Sequence, residues 1–131
     1  MKKTTLLHAE LSRVIATLGH GDLLVIGDAG LPIPAGTPRI DLAVTANLPR
    51  MLDVVQAVLS EMQVESATVA GELALRNPPV SEGLRLMLGS TPVASVSHEE
   101  LKAQCAGARA VVRTGEFSPY ANVILRSGVV F

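Results

Sequence analysis

A chain of 131 residues with 48% of them apolar can bury a core of its own, and its length suits one domain, since domains usually run to about 100–200 residues. Eleven Lys and Arg face twelve Asp and Glu without any block of like charge, which excludes the basic face that a nucleic-acid partner requires. A single cysteine excludes an internal disulfide and suits a reducing compartment.

Lys2 and Lys3 are followed by Glu10 and Arg13 before any apolar stretch long enough for a signal peptide. No run approaches the roughly 18 apolar residues of a membrane span. The expectation is a soluble cytoplasmic protein, with neither nucleic acid nor membrane as a partner. The aromatic residues are only Phe117, Tyr120 and Phe131, so the core has to be built from Val, Leu, Ile, Ala and Met.

Leu7, Leu11, Val14, Ile15 and Leu18 recur at helical spacing, and Gly19 follows where a helix would end. Leu23 to Ile26 is a continuous apolar run, as a strand covered on both faces requires. Gly27 to Gly30 breaks it, and Pro32, Pro34 and Gly36 make the following segment irregular. Arg39 to Val44 alternates polar and apolar residues and predicts a second strand. Pro49 suits a first helical position, and Leu52, Val55, Leu59 and Met62 mark a helical stripe. Ser66 to Ala70 predicts a buried strand. Asn77-Pro78-Pro79 opens another helix, with Val80, Leu84 and Leu88 as its stripe.

Val93 to Val96 predicts a strand. Ser97-His98-Glu99-Glu100 after it fits a capping box, with the Ser97 hydroxyl and the Glu100 carboxylate on free amides at a helix start. Ala108 to Arg113 is a further strand, and Val123 to Phe131 a last strand or a hairpin about Ser127-Gly128. Alternating helices and strands imply an α/β fold, a three-layer α/β/α arrangement in one domain spanning 1–131, around a mostly parallel, mixed sheet of about six strands.

Asp28 follows a strand end, where ligands collect in open α/β sheets, although Asp is also a common turn former. His20 reads either as a loop residue or as a cation near a helix C-terminus, and His98 first of all as part of a helix start. His8 lies nearest the chain start and is the weakest candidate of the three. His8, His20, His98 and Cys105 are too scattered for the paired ligands of a metal site, and Cys105 reads as a small core residue. Neither G-x-G-x-x-G nor G-x-x-x-x-G-K-[ST] occurs. The densest polar segment is Arg113 to Asn122. It collects Arg, Thr, Glu, Ser, Tyr and Asn after a strand, which suits either a polyhydroxylated ligand or a polar crossover loop.

Taken together, Leu18-Gly19-His20-Gly21-Asp22, Asp28-Ala29-Gly30-Leu31-Pro32-Ile33-Pro34 and Arg39-Ile40-Asp41-Leu42 resemble the opening third of the D-ribose pyranase family. Glu61 to Glu65, Ser97-His98-Glu99, Arg113 to Asn122 and Ser127 to Phe131 continue the likeness, which is weakest from Gly71 to Ser90. The related L-fucose mutarotases share Gly-His-Gly-Asp and Tyr-x-Asn but differ at Ala29 to Pro34. The ribose assignment rests on that difference.

The resemblance implies a cofactor-free sugar-ring isomerase acting on D-ribose upstream of sugar phosphorylation. In it His20 would be the proton donor, and Asp28, His98, Tyr120 and Asn122 would line the sugar site. It also implies a ring-like homo-oligomer, such as an octamer or a decamer. The competing expectations are a mutarotase of the fucose type, a sugar-binding accessory protein without turnover, and a purely structural oligomer that binds no sugar.

Overall fold

The computed structural model describes residues 1–131. In chain order the elements are α1 (Ala9–Thr17), β1 (Leu23–Gly27), β2 (Arg39–Asp41), α2 (Met51–Leu59), β3 (Val64–Ala70), α3 (Glu72–Arg76), α4 (Pro78–Leu88), β4 (Val93–Val96), α5 (His98–Gln104), β5 (Ala110–Arg113) and β6 (Val123–Ser127). A single 3₁₀ turn, Cys105–Gly107, follows α5. The six strands form one sheet in the order β2-β5-β1-β6-β3-β4. All its neighbours run parallel except β6, which is antiparallel to both β1 and β3. The mixed, mostly parallel sheet expected from the alternating pattern is therefore present.

Strand geometry sends successive side chains to opposite faces, and here the two faces have separate cores. Leu24, Ile26, Ala110, Val112, Val123 and Leu125 meet Leu11 and Val14 of α1, Met51 to Val58 of α2, and Val80, Leu84 and Leu88 of α4. On the other side Val25, Val111 and Ile124 meet Leu101 of α5, Cys105 and Leu31. Helices thus cover both faces of the sheet, one heavily and the other thinly.

The stripe of α4 is the one the spacing predicts, whereas α2 buries Met51, Val54, Val55 and Val58. Leu52 turns instead toward α4, where Gly83 leaves no room for a Cβ: one built there would lie 2.5 Å from Leu52 Cδ1.

Three local expectations change. β2 stops at Asp41 because Asp41 Oδ1 accepts from the Ala43 amide, an Asx turn that ends the extended run. Pro49 sits two residues before α2, whose N-cap is Arg50 with no side-chain cap. The capping box is half formed. Ser97 Oγ accepts from the Glu100 amide at 3.1 Å, but the Glu100 carboxylate accepts from Gln104, and Glu72 takes the free amide of His98. The short helix α3 supplies Glu72; its five residues are too few for a periodic stripe to show. The tail forms strand β6 rather than a hairpin, and no helix is long and apolar enough to cross a membrane.

Candidate functional site

The single antiparallel strand decides which residues meet. Val123, the first residue of β6, pairs with Ile26 of β1 and Val69 of β3, so Tyr120 and Asn122 arrive at the carboxyl edge of the parallel strands. Asp28 leaves β1 at that edge. His98, the first residue of α5, follows β4 there too. Four of the five expected site residues therefore share one edge, the usual place for a ligand in such sheets.

At this edge Asp28 and Asn122 form a closed pair. The Asp28 amide donates to Asn122 Oδ1 at 2.8 Å, and Asn122 Nδ2 donates to Asp28 Oδ2 at 3.0 Å. Asp28 Oδ1 also accepts from the Gly30 amide at 2.9 Å, so the residue caps a turn and lines a cavity at once. Asn122 is fully buried, with its amide spent on Asp28; it aims the carboxylate rather than presenting itself to solvent.

Gly27 permits this close approach, because a Cβ there would lie 2.5 Å from Leu31 Cδ2 and 2.9 Å from Asn122 Oδ1. Thr114, buried, ties the next loop on by donating from Oγ1 to the Gly27 carbonyl at 2.8 Å.

Tyr120 holds a left-handed backbone, φ 57°, which is uncommon for a bulky residue and belongs to positions that the surroundings over-determine. Its carbonyl accepts from the Asn122 amide at 2.8 Å. Its ring meets the His98 imidazole edge to face at 5.1 Å between centroids, a favoured aromatic geometry. His98 Nδ1 is buried and has no hydrogen-bond partner. A cavity of about 490 Å³ opens beside Asp28, bordered also by Gly30, Arg113, Glu116, Phe117 and Ser118, within the size range of small-molecule sites; His98, Tyr120 and Asn122 do not border it. Arg113 braces its wall by donating to the Ala29 carbonyl and to Asp41 Oδ2, at 3.0 and 2.9 Å.

His20 lies elsewhere. It sits in the turn before β1, at the amino edge of the same strand, and β1 separates it from Asp28 by five residues, about 16 Å at the usual strand rise. The turn is built by Asp22, which accepts from the Gly19 amide at 2.8 Å and pairs with Arg109 at 3.0 Å. The Gly19 amide and then the Arg109 guanidinium hold the Asp22 carboxyl below its ordinary range. Gly21 supplies the positive φ of 83° that the turn needs.

The imidazole so presented is 62% exposed, with Nε2 at 2.7 Å from Glu65 Oε2. A second cavity of about 310 Å³ beside it is bordered by Glu61, Ser127, Val129, Val130 and Phe131. His20 is thus the one expected site residue that a single chain keeps apart from the rest.

Glu65 and Glu116 were not singled out by sequence reasoning. Both act across long separations, 45 residues for Glu65 to His20 and 65 for Glu116 to Met51, and no local pattern announces such pairs. His8 caps α1, its Nδ1 accepting from the Leu11 amide at 3.2 Å. Cys105 is a fully buried core residue, and its burial pushes the thiol up from its ordinary value. No three His, Cys, Asp or Glu side chains gather as metal ligands would.

Comparison with known proteins gives one consistent picture. The model of the RbsD / FucU transport protein family matches residues 1–130. The chain is similar to the D-ribose pyranase of Symbiobacterium thermophilum, 63% identical over 131 residues that cover both chains completely. Its fold is similar to that of Bacillus subtilis RbsD complexed with D-ribose, with a TM-score of 0.97, 42% identity and complete coverage of both chains. The fucose mutarotase of Streptococcus pneumoniae, solved with L-fucose, shares the fold at a TM-score of 0.82 and 24% identity, over 95% of this chain and 94% of that one.

Proposed function

The chain belongs to the RbsD / FucU family, and on that premise we propose that it is a D-ribose pyranase, interconverting the pyranose and furanose forms of the sugar by acid–base ring opening and closure. One observation carries the reading: the likeness to a D-ribose pyranase runs the whole length of the chain at 63% identity.

The chemistry asks for proton transfers only. The anomeric hydroxyl gives up its proton as its oxygen becomes an aldehyde carbonyl, while the ring oxygen leaves the anomeric carbon and takes a proton up. After a bond rotation a different hydroxyl attacks the carbonyl, losing its proton as the carbonyl oxygen regains one. Each well-placed acid or base contributes about 10²- to 10⁴-fold to such a reaction.

In our assignment His20 is the proton donor to the ring oxygen, since an imidazole can give and take a proton near neutral pH, and Glu65 orients its ring. Asp28 accepts from sugar hydroxyls: two donors already fix its carboxylate, and an ionised carboxylate has about four acceptor sites. His98 and Tyr120 hold further hydroxyls, and Asn122 serves the sugar through Asp28.

A pentose cannot bridge the length of β1. We therefore assign the His20 of each chain to the cavity beside Asp28 of a neighbouring copy. Such a contact joins two unlike faces, and head-to-tail contacts of that kind close into rings when the rotation allows. Exposed apolar side chains at both ends support it: Val129, Val130 and Phe131 beside His20, and Phe117 at the cavity, with Val44 in an adjoining hollow that Phe117 also borders. A cytoplasmic setting agrees with the free thiol of Cys105 in the core.

The direct test is saturation-transfer NMR on equilibrated D-ribose. Pyranose–furanose exchange should rise above the spontaneous rate with the protein and return to it with His20→Ala. Ribose bound but exchanging at the spontaneous rate would replace this reading with that of a binding protein without turnover.

A further inference from the structure

A buried carboxylate is expensive unless donors satisfy it, so the partners of Glu116, only 2% exposed, show what it is for. Its Oε2 accepts from the Met51 amide at 3.1 Å. It thereby caps α2 in place of Arg50, whose side chain makes no capping bond, and meets the positive end of the helix dipole.

Its Oε1 is spent differently, accepting from the Ser118 hydroxyl at 2.7 Å. Ser118 Oγ accepts in turn from Asn77 Nδ2 at 2.8 Å, and the same nitrogen donates to the Pro119 carbonyl at 2.9 Å. The next residue is Tyr120, with its left-handed backbone. On the other side the Glu116 carbonyl accepts from the Ala29 amide at 2.9 Å, directly after Asp28. One residue therefore ties down the Asp28 turn through its backbone and, through its side chain, the Ser118-Pro119 segment that leads into Tyr120; Asp28, Ser118 and Pro119 border the cavity.

We propose that Glu116 is a positioning residue for the sugar site, holding Tyr120 through Ser118 and Asp28 through Ala29. The proposal rests on the ribose reading above and extends it to residues that need not touch the sugar. Ionised, Glu116 accepts from two donors at once. In Glu116→Gln one oxygen becomes an NH₂ group that faces a donor, so either the Met51 amide or the Ser118 hydroxyl loses its acceptor. The His20 assigned to this cavity comes from a neighbouring copy and is held by its own turn, with Asp22 and Glu65. The Glu116 network does not hold it, so loosening that network should weaken sugar binding and spare the proton transfer.

Tyr120 is the only tyrosine of the chain and there is no tryptophan, so ¹³C-tyrosine labelling reports on this one ring. Ser118→Ala cuts the link while leaving the Met51 cap in place. In the full-length protein it should raise the KM for ribose about tenfold, the worth of one well-made hydrogen bond. It should also leave kcat within about twofold and move the Tyr120 ring resonances. Glu116→Gln should do the same with a lower melting temperature; should it not fold, Ser118→Ala decides alone.

A KM that stays at the wild-type value, or Tyr120 resonances that do not move, overturns the proposal. Wild-type protein that fails to speed ribose exchange would sink the ribose reading instead, and the Tyr120 resonances would then decide whether Glu116 positions this turn.

Discussion

The two ends of β1 are built on opposite plans. At the carboxyl end Asp28 is clamped by Asn122, Gly30 and the Thr114–Glu116 loop through a connected set of hydrogen bonds. At the amino end His20 stands out from a tight turn, with one carboxylate, Glu65, against its ring. The first plan preorganises: in the proposed role, groups that recognise several hydroxyls are fixed before the sugar arrives, so binding costs less ordering. The second presents: the exposed imidazole projects beyond its own chain, as the proposed donor to a neighbouring copy would have to.

The largest effect should come from the presented end. His20→Ala, with melting temperature and oligomer size unchanged, should lower ribose ring exchange by about 10²- to 10⁴-fold. A folded variant at the wild-type rate removes His20 from the mechanism. Mixing sharpens the contrast further. Co-assembled His20→Ala and Asp28→Ala chains should recover activity that neither has alone, up to about a quarter of wild type if subunits mix at random around a head-to-tail ring. A mixture as inactive as its components would mean that each site is built within one chain.

At the clamped end Gly27→Ala forces Leu31 and Asn122 apart. Overpacking of this kind costs about 1–3 kcal/mol, read as a lower melting temperature together with lost ribose affinity. Asn122→Ala strips the Asp28 amide of its acceptor, an omission worth about 1–3 kcal/mol. It should appear mainly as a raised KM, and unchanged affinity would separate Asn122 from the sugar site.

The smallest effect is one of pH. The Asp22 carboxyl titrates below its ordinary value when folded. Its support for the His20 turn is therefore complete above the unfolded value of about 3.9. That support fades as acid carries the pH down through the lower, folded value. His20 amide and ring resonances followed on acidification should broaden there, and resonances that stay sharp through that range would separate Asp22 from the turn.

Much of the scaffold was legible because periodicity reports burial directly. The apolar runs at Leu23 to Ile26 and Ala108 to Arg113 became the centre of the sheet, and Val80, Leu84 and Leu88 became the buried face of α4. What stayed hidden was set by contacts between distant residues. Asn122 looked like a sugar ligand, yet its amide is spent on Asp28, 94 positions away. Glu116 and Glu65 lay within segments already marked out, but nothing local set them apart from their neighbours. That His20 and Asp28 flank one strand was legible, but which of the two Tyr120 and Asn122 would join was not, because it depends on strand direction, which hydrophobic pattern does not report.

Strand direction also governs how the molecule is assembled. β6 is the last strand in the sequence, yet it occupies the middle of the sheet between β1 and β3. Until it inserts, β1 with β5 and β2 and, separately, β3 with β4 are two half-sheets with bare inner edges, which invite pairing with other chains. Translation from the N-terminus delivers the closing strand after all the others, and its long-range pairings are of the slow kind. The same insertion brings Tyr120 and Asn122 to Asp28, so a chain that has not finished folding lacks the pocket proposed for the sugar.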